Sequence, residues 1–242
     1  SCEYVKSADL TDRFSNPNSL DPNIPAIVGP LFSATEFQDS EFQKTASVMK
    51  MVVDGYAGAG TITMGGYDYH TGERATGELR DLRAGRCMGA CLEYAATKGV
   101  PLMLYVFSDG SVASNGRIDN SVEARGKGEW TGDNSSTAAS FFLVYDPRQR
   151  PTLLGADATI QARHQQIGWM RPDASVETSA TPAANNVTAL VDMVVLNYLA
   201  LHGLQGDFAT ALPNNTIGSS LDLYTAFEPL ASVNNGIIVP LP

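Results

Sequence analysis

In Gly65-Gly66-Tyr67-Asp68-Tyr69-His70 a carboxylate and an imidazole stand two residues apart, a spacing suited to holding one metal ion. On an extended segment, residues two apart point to the same side, so Asp68 and His70 can face a common ligand. The two glycines before them carry no side chain and let the backbone turn sharply. A second group, Phe107-Ser108-Asp109-Gly110-Ser111, ends an apolar run with Asp109 and two hydroxyls. A third, Thr131-Gly132-Asp133-Asn134, offers Asp133 from a long polar stretch. Singly, each has an ordinary explanation, because an aspartate beside a turn most often accepts from backbone N–H groups. Together, Asp68, His70, Asp109 and Asp133 would suit a divalent cation such as zinc, calcium or magnesium.

Competing chemistries leave weaker marks. No Gly-x-Ser-x-Gly elbow singles out a nucleophilic serine. The glycines at 55, 58 and 60 precede an expected strand, the wrong order for a phosphate-binding loop or a dinucleotide fold. His164 sits in a polar stretch, and His202 closes a helix, where an imidazole meets the C-terminal dipole favourably. Cys87 and Cys91 lie four apart on one helix face. They could bind a soft metal, though two small core residues is the simpler reading, and a disulfide from Cys2 to either stays open. Sequons at Asn134, Asn186 and Asn214 matter only in a host that glycosylates.

The elements that must position these groups follow from periodicity. Phe42, Ala46, Met49 and Val53 recur at helical spacing behind a Ser40/Gln43 capping box and stop at Gly55. Residues 61–64 read as a short buried strand leading into Gly65-Gly66. A second helix over 77–98 places Leu79, Leu82, Met88, Cys91, Leu92 and Ala95 on one broad side and ends at Gly99. The run Leu102-Met103-Leu104-Tyr105-Val106-Phe107 has the pattern of a strand covered on both faces, as in parallel sheets. Residues 110–140 read as a long loop, 141–145 as another buried strand, and 152–160 as a short hairpin. A last helix over 187–202 is capped by Gly203, with Val191 and Tyr198 among its expected buried residues, and the tail beyond Gly206 has no strong period. Strand, helix and strand in this order make a βαβ unit, and ligands gather at the carboxyl ends of such strands. The expected fold is therefore α/β, a mostly parallel sheet flanked by helices, with an irregular arm over 1–34 and the α/β domain over 35–242.

The chain has 242 residues and 43% hydrophobic composition, enough for a sizeable core. A net charge of −10, with sixteen Lys/Arg against twenty-six Asp/Glu, argues against nucleic acid and anionic lipid as partners. No apolar run reaches membrane-spanning length. The opening Ser1-Cys2-Glu3-Tyr4 reads as the interior of something longer, which processing or proteolysis of an N-terminal segment would explain.

With these pieces in order, residues from roughly 35 to 205 resemble a large family of exported proteins called domain of unknown function 1501, related to sulfatases and alkaline phosphatases. The family's Gly-Gly-Trp-Asp-Thr-His resembles Gly65-Gly66-Tyr67-Asp68-Tyr69-His70; its Ser-Glu-Phe-Gly-Arg is matched by Ser108-Asp109-Gly110-Ser111. Its later Gly-Arg-Asp-His segment looks like Thr131-Gly132-Asp133-Asn134, and its closing helix like 191–204. Two departures stand out: Asn134 replaces the family's histidine, and the arginine of the second motif is absent. The resemblance implies part of an alkaline-phosphatase-like fold, an exported location in the periplasm or outside the cell, and metal-dependent hydrolysis of small anionic phosphate or sulfate esters. Asp68, His70, Asp109 and Asp133 would then be metal ligands. The alternative implied by the departures is a silent pseudoenzyme that binds a protein partner or assembles into an oligomer.

Overall fold

In a computed structural model of the chain, the described residues are 31–67, 74–107, 114–122, 127–130, 140–165, 179 and 186–241. Those up to Leu102 form one compact unit and those from Met103 onward a second.

In the first unit, Asp39 is extended and its carboxylate accepts from Glu41 N at 2.8 Å, which starts helix α1, Ser40–Val53. The cap is thus Asp39, one residue before the expected Ser40, and the Gln43 amide instead donates to Phe37 O at 2.7 Å. Phe42, Ala46 and Met49 are buried on one face as their spacing predicts. Helix α2, Arg74–Lys98, begins earlier than its sequence pattern suggests. It ends as expected: Gly99 takes φ +67°, its N–H reaches Ala96 O at 3.1 Å, and Val100 N reaches Ala95 O. Cys87, Ala90, Cys91, Tyr94 and Ala95 form the buried seam of α2, while Leu79 and Leu82, expected inside, are 69% and 70% exposed. Phe32, Phe42, Ala46, Cys87 and Ala90 pack into one core, with the Phe32 and Phe42 rings 5.0 Å apart. Full burial of a side chain such as Phe32 contributes about 2–3 kcal/mol. Arg86 holds the entering chain by hydrogen bonds to Leu31 O and to Glu36 Oε1.

The second unit holds strands β1, Leu102–Phe107, β2, Ser114–Asp119, β3, Lys127–Trp130, and β4, Ser140–Tyr145. They are followed by helices α3, Ala158–His164, α4, Val187–Leu201, and α5, Phe208–Ala211, and by strands β5, Ala231–Asn234, and β6, Ile237–Pro240. Asn186 caps α4 by accepting from Ala189 N at 3.1 Å, and Gly203 ends it at φ +69°. Met193 and Leu196 of α4 pack with Phe208 and Ile217. Val191 and Tyr198, expected in the core, are about half exposed.

The mostly parallel, alkaline-phosphatase-like sheet expected from the sequence is not what forms. Among the described residues the strands pair only two by two: β1 with β4, β2 antiparallel to β3, and β5 antiparallel to β6. No residue of β1 is fully buried, and Phe107 and Phe141 are about half exposed, so these strands are not enclosed along both faces as in a parallel-sheet core. Residues 61–64 belong to no strand; Ile62 and Met64 are half-buried between exposed threonines. The stretch read as a long loop contains the β2–β3 ribbon, and the expected 152–160 hairpin is a single bridge, Leu153 with Phe227, followed by α3. Among the described residues no helix is long and apolar enough to cross a membrane.

Candidate functional site

All four residues singled out as metal ligands, Asp68, His70, Asp109 and Asp133, lie outside the described residues. What the structure describes are the residues that precede two of these segments in the chain, 61–67 and 102–107. Each belongs to its own unit.

In the first unit the chain approaches Asp68 along a fixed path. The Lys44 ammonium donates to Thr63 O at 2.8 Å and holds the segment against α1. Gly66 takes φ +87°, and a Cβ there would come within 2.5 Å of Arg80 Cζ. The guanidinium of Arg80 therefore occupies space that only glycine leaves, at a backbone angle that only glycine adopts cheaply. Tyr67 turns inward and donates its hydroxyl to Arg80 O at 2.9 Å. Burial raises the Tyr67 phenol pKa, a hydrogen bond from Arg83 opposes it, and the net direction is upward, so the ring stays neutral at pH 7. Arg83 lies 3.5 Å from Asp39 at the start of α1. Burial works against its charge, but Tyr67 and Asp39 outweigh burial and its pKa is raised. The buried Nε of Arg83 has no acceptor among the described residues.

Thus two guanidinium groups, one helical turn apart on α2, flank the backbone that leads directly into Asp68. Sequence reading did not pick out Arg80, Arg83 or Tyr67 as part of this neighbourhood. The available signal was the run of arginines at 80, 83 and 86, spaced three apart on a helix beside the Gly-Gly-Tyr-Asp motif.

In the second unit β1 leads toward Ser108 and Asp109, with Tyr105 and Phe107 stacked 5.4 Å apart. Burial raises the Tyr105 phenol pKa, and its buried hydroxyl has no hydrogen-bond partner among the described residues.

The remaining candidates fall to ordinary roles. His164 places Nδ1 2.7 Å from Thr225 O, so Nδ1 carries the proton. His202 does the same within its own helix turn, 2.8 Å from Tyr198 O. Cys87 and Cys91 are free and buried in the first unit's core. Burial raises both thiols, Cys91 to about 12, which opposes the thiolate that a metal would need. Among the described residues no three His, Cys, Asp or Glu side chains converge as a metal site. No family model matches the chain, and neither a curated protein nor a solved structure matches it.

Proposed function

We propose that the chain is an exported hydrolase of small phosphate or sulfate esters, dependent on a divalent cation held by Asp68 and His70. The observation that carries this reading is the paired guanidinium groups of Arg80 and Arg83 on the path into Asp68. An anionic ester needs positive charge beside its metal, and in a chain of net charge −10 that charge must be placed locally. The donor set fits such an ion in kind: Asp68 and His70 supply oxygen and nitrogen ligands, and Asp109 and Asp133 are further carboxylates. A bound cation would polarise the ester and acidify a water molecule. Around it, Arg83 would hold substrate charge, and Gly66 with Tyr67 would fix where the loop begins.

The test is elemental analysis of purified, unchelated protein for zinc, calcium, magnesium and manganese. Near-stoichiometric metal is expected, lost in Asp68→Ala together with turnover of aryl phosphate or aryl sulfate esters, while far-UV circular dichroism is unchanged. Wild-type protein without metal, and inert toward these esters after each ion is added back, would overturn the reading. It would leave the silent pseudoenzyme, to be sought as an oligomer or protein complex by light scattering.

A further inference from the structure

The second unit contains a cleft of about 200 Å³ where the end of α4 faces the Leu153–Phe227 bridge. Its making is readable residue by residue. Gly203 ends α4 at φ +69°, and a Cβ at this position would lie 3.2 Å from Ala231 O, closer than ordinary van der Waals contact. Ala200 and Gly206 leave space rather than fill it, and a Cβ built on Gly206 would meet nothing within 4 Å. Leu154, Phe227 and Pro229 form the opposite, apolar wall. That wall is braced by Leu154 N to Ala226 O at 2.9 Å and by the edge of Phe142 against Phe227 at 5.8 Å.

Two polar side chains line the cleft, and they are not equivalent. Thr225 is spent: its hydroxyl donates to Leu221 O at 3.0 Å and accepts from Gln205 Nε2 at 2.7 Å. Gln205 Nε2 also donates to Asp222 Oδ1 at 3.0 Å. Because a carboxylate only accepts, the amide is fixed with nitrogen toward Asp222. Its Oε1 is left with no donor among the described residues, and Gln205 lines a cleft that has no charged lining residue. Two carboxylates stand just behind that lining, Asp222 on Gln205 and Glu228, which accepts from Gly155 N at 3.2 Å. An anion entering here would meet these carboxylates and no cationic side chain among the lining residues.

We propose that this cleft binds a small uncharged molecule with one aromatic ring and one hydrogen-bond donor, the ring against Leu154, Phe227 and Pro229 and the donor on Gln205 Oε1. Size sets the upper limit: a cavity of roughly 150 Å³ takes benzene, whereas drug-sized ligands need about 300 Å³ or more. The site is separate in chemistry from the ester site proposed above, since it disfavours the anions that one requires.

The test uses benzamide and its charged isostere benzoate as probes of the full chain, followed by methyl NMR. Benzamide should give saturable shifts at the Ala200, Leu154 and Thr225 methyls. Benzoate should bind at least about tenfold more weakly. Gly206→Leu, which grows into the open space, should weaken benzamide by a similar factor without lowering Tm. Gly206→Ala, adding one methyl in that space, serves should the larger side chain perturb folding, and it should weaken benzamide to a smaller extent. Absence of saturable shifts at these methyls, equal affinity for benzoate, or unchanged binding in both Gly206 variants would overturn the proposal.

Discussion

The first unit holds its polar side chains mainly by charge, the second mainly by neutral hydrogen bonds. In the first, Arg86 meets Glu36 at 2.9 Å, Arg83 meets Asp39 at 3.5 Å, and Asp54 gathers Lys98 at 3.0 Å and Lys50 at 3.7 Å. In the second, Asn197, Gln205 and Thr225 tie α4 to the segment 221–226 with no formal charge except the distal Asp222. The exception there is Asp146, whose fully buried carboxylate pairs with Arg148 and is thereby held below the usual carboxylate range. Partly exposed ion pairs such as Arg86–Glu36 and Arg83–Asp39 contribute little and are screened by salt, whereas a buried neutral network is costly to break whatever the ionic strength. The contrast therefore predicts two kinds of sensitivity in one chain.

The largest expected effect concerns the core beneath the first unit's charges. Burial raises the Cys91 thiol from 9.0 to about 12, so near pH 8 its thiolate is scarcer by roughly a thousandfold than that of a free cysteine. Cys91 should alkylate with iodoacetamide at least that much more slowly in native protein than in urea, read by mass spectrometry of its peptide. The sign for stability follows from linkage: the neutral thiol is favoured in the fold, so this contribution is complete below the unfolded pKa and is lost as pH rises toward 12. Rapid native labelling of Cys91 would mean that the α1–α2 core opens readily.

Next comes the second unit's neutral network. Asn197 is 2% exposed; its Nδ2 donates to Met193 O and Tyr224 O, both at 2.8 Å, and its Oδ1 accepts from Ala226 N at 2.8 Å. Replacing Asn197 by Leu leaves the Ala226 N–H buried without a partner and takes one donor each from the Met193 and Tyr224 carbonyls. The expected loss is about 3 kcal/mol, the same at low and high salt. Methyl NMR of Met193 and Leu196, which pack in this unit's core, followed through urea unfolding, reads it selectively. A loss that shrinks in 1 M salt would break the comparison between the units.

How much of this was legible beforehand depended on whether the deciding interaction was local. Helices α1 and α4 and the caps at Gly99 and Gly203 follow from period and from glycine's left-handed backbone, both written within a few residues. The sheet was misread because Leu102-Met103-Leu104-Tyr105-Val106-Phe107 records that a strand is apolar but not how many of its faces are covered. The β5–β6 hairpin did carry a local signal: Asn235-Gly236, at φ +52° and +78°, is the pair that a tight antiparallel turn demands. It went unread because it lay in a tail without a longer period. The Arg80 guanidinium against Gly66 is a tertiary approach across fourteen positions, and nothing in the motif Gly65-Gly66-Tyr67 names its neighbour. The proposed ligands Asp68, His70, Asp109 and Asp133 rest on residue type and spacing, which is why metal analysis comes first.

The smallest effect tests the charged side of the comparison most directly. Lys98 closes α2 with its ammonium 3.0 Å from Asp54 Oδ1 and 5.3 Å from the centre of the Tyr94 ring. The Tyr94 hydroxyl lies 3.0 Å from both Asp54 oxygens, so Asp54 keeps a partner when Lys98 is removed, and Lys50 remains 3.7 Å away. The hydrogen bond that Lys98 donates to Asp54 raises the Lys98 pKa, so its stabilisation is complete below the ordinary lysine value and is lost as pH rises through the folded one. Lys98 is 35% exposed, which calls for a discount for screening by solvent. Lys98→Met should therefore cost only about 0.5 kcal/mol at low salt and nothing measurable in 1 M sodium chloride, read by amide hydrogen exchange at the end of α2. A cost near 3 kcal/mol that persisted in salt would place Asp54 among the buried charges that need every partner, and the two units would then differ in composition but not in how they are held.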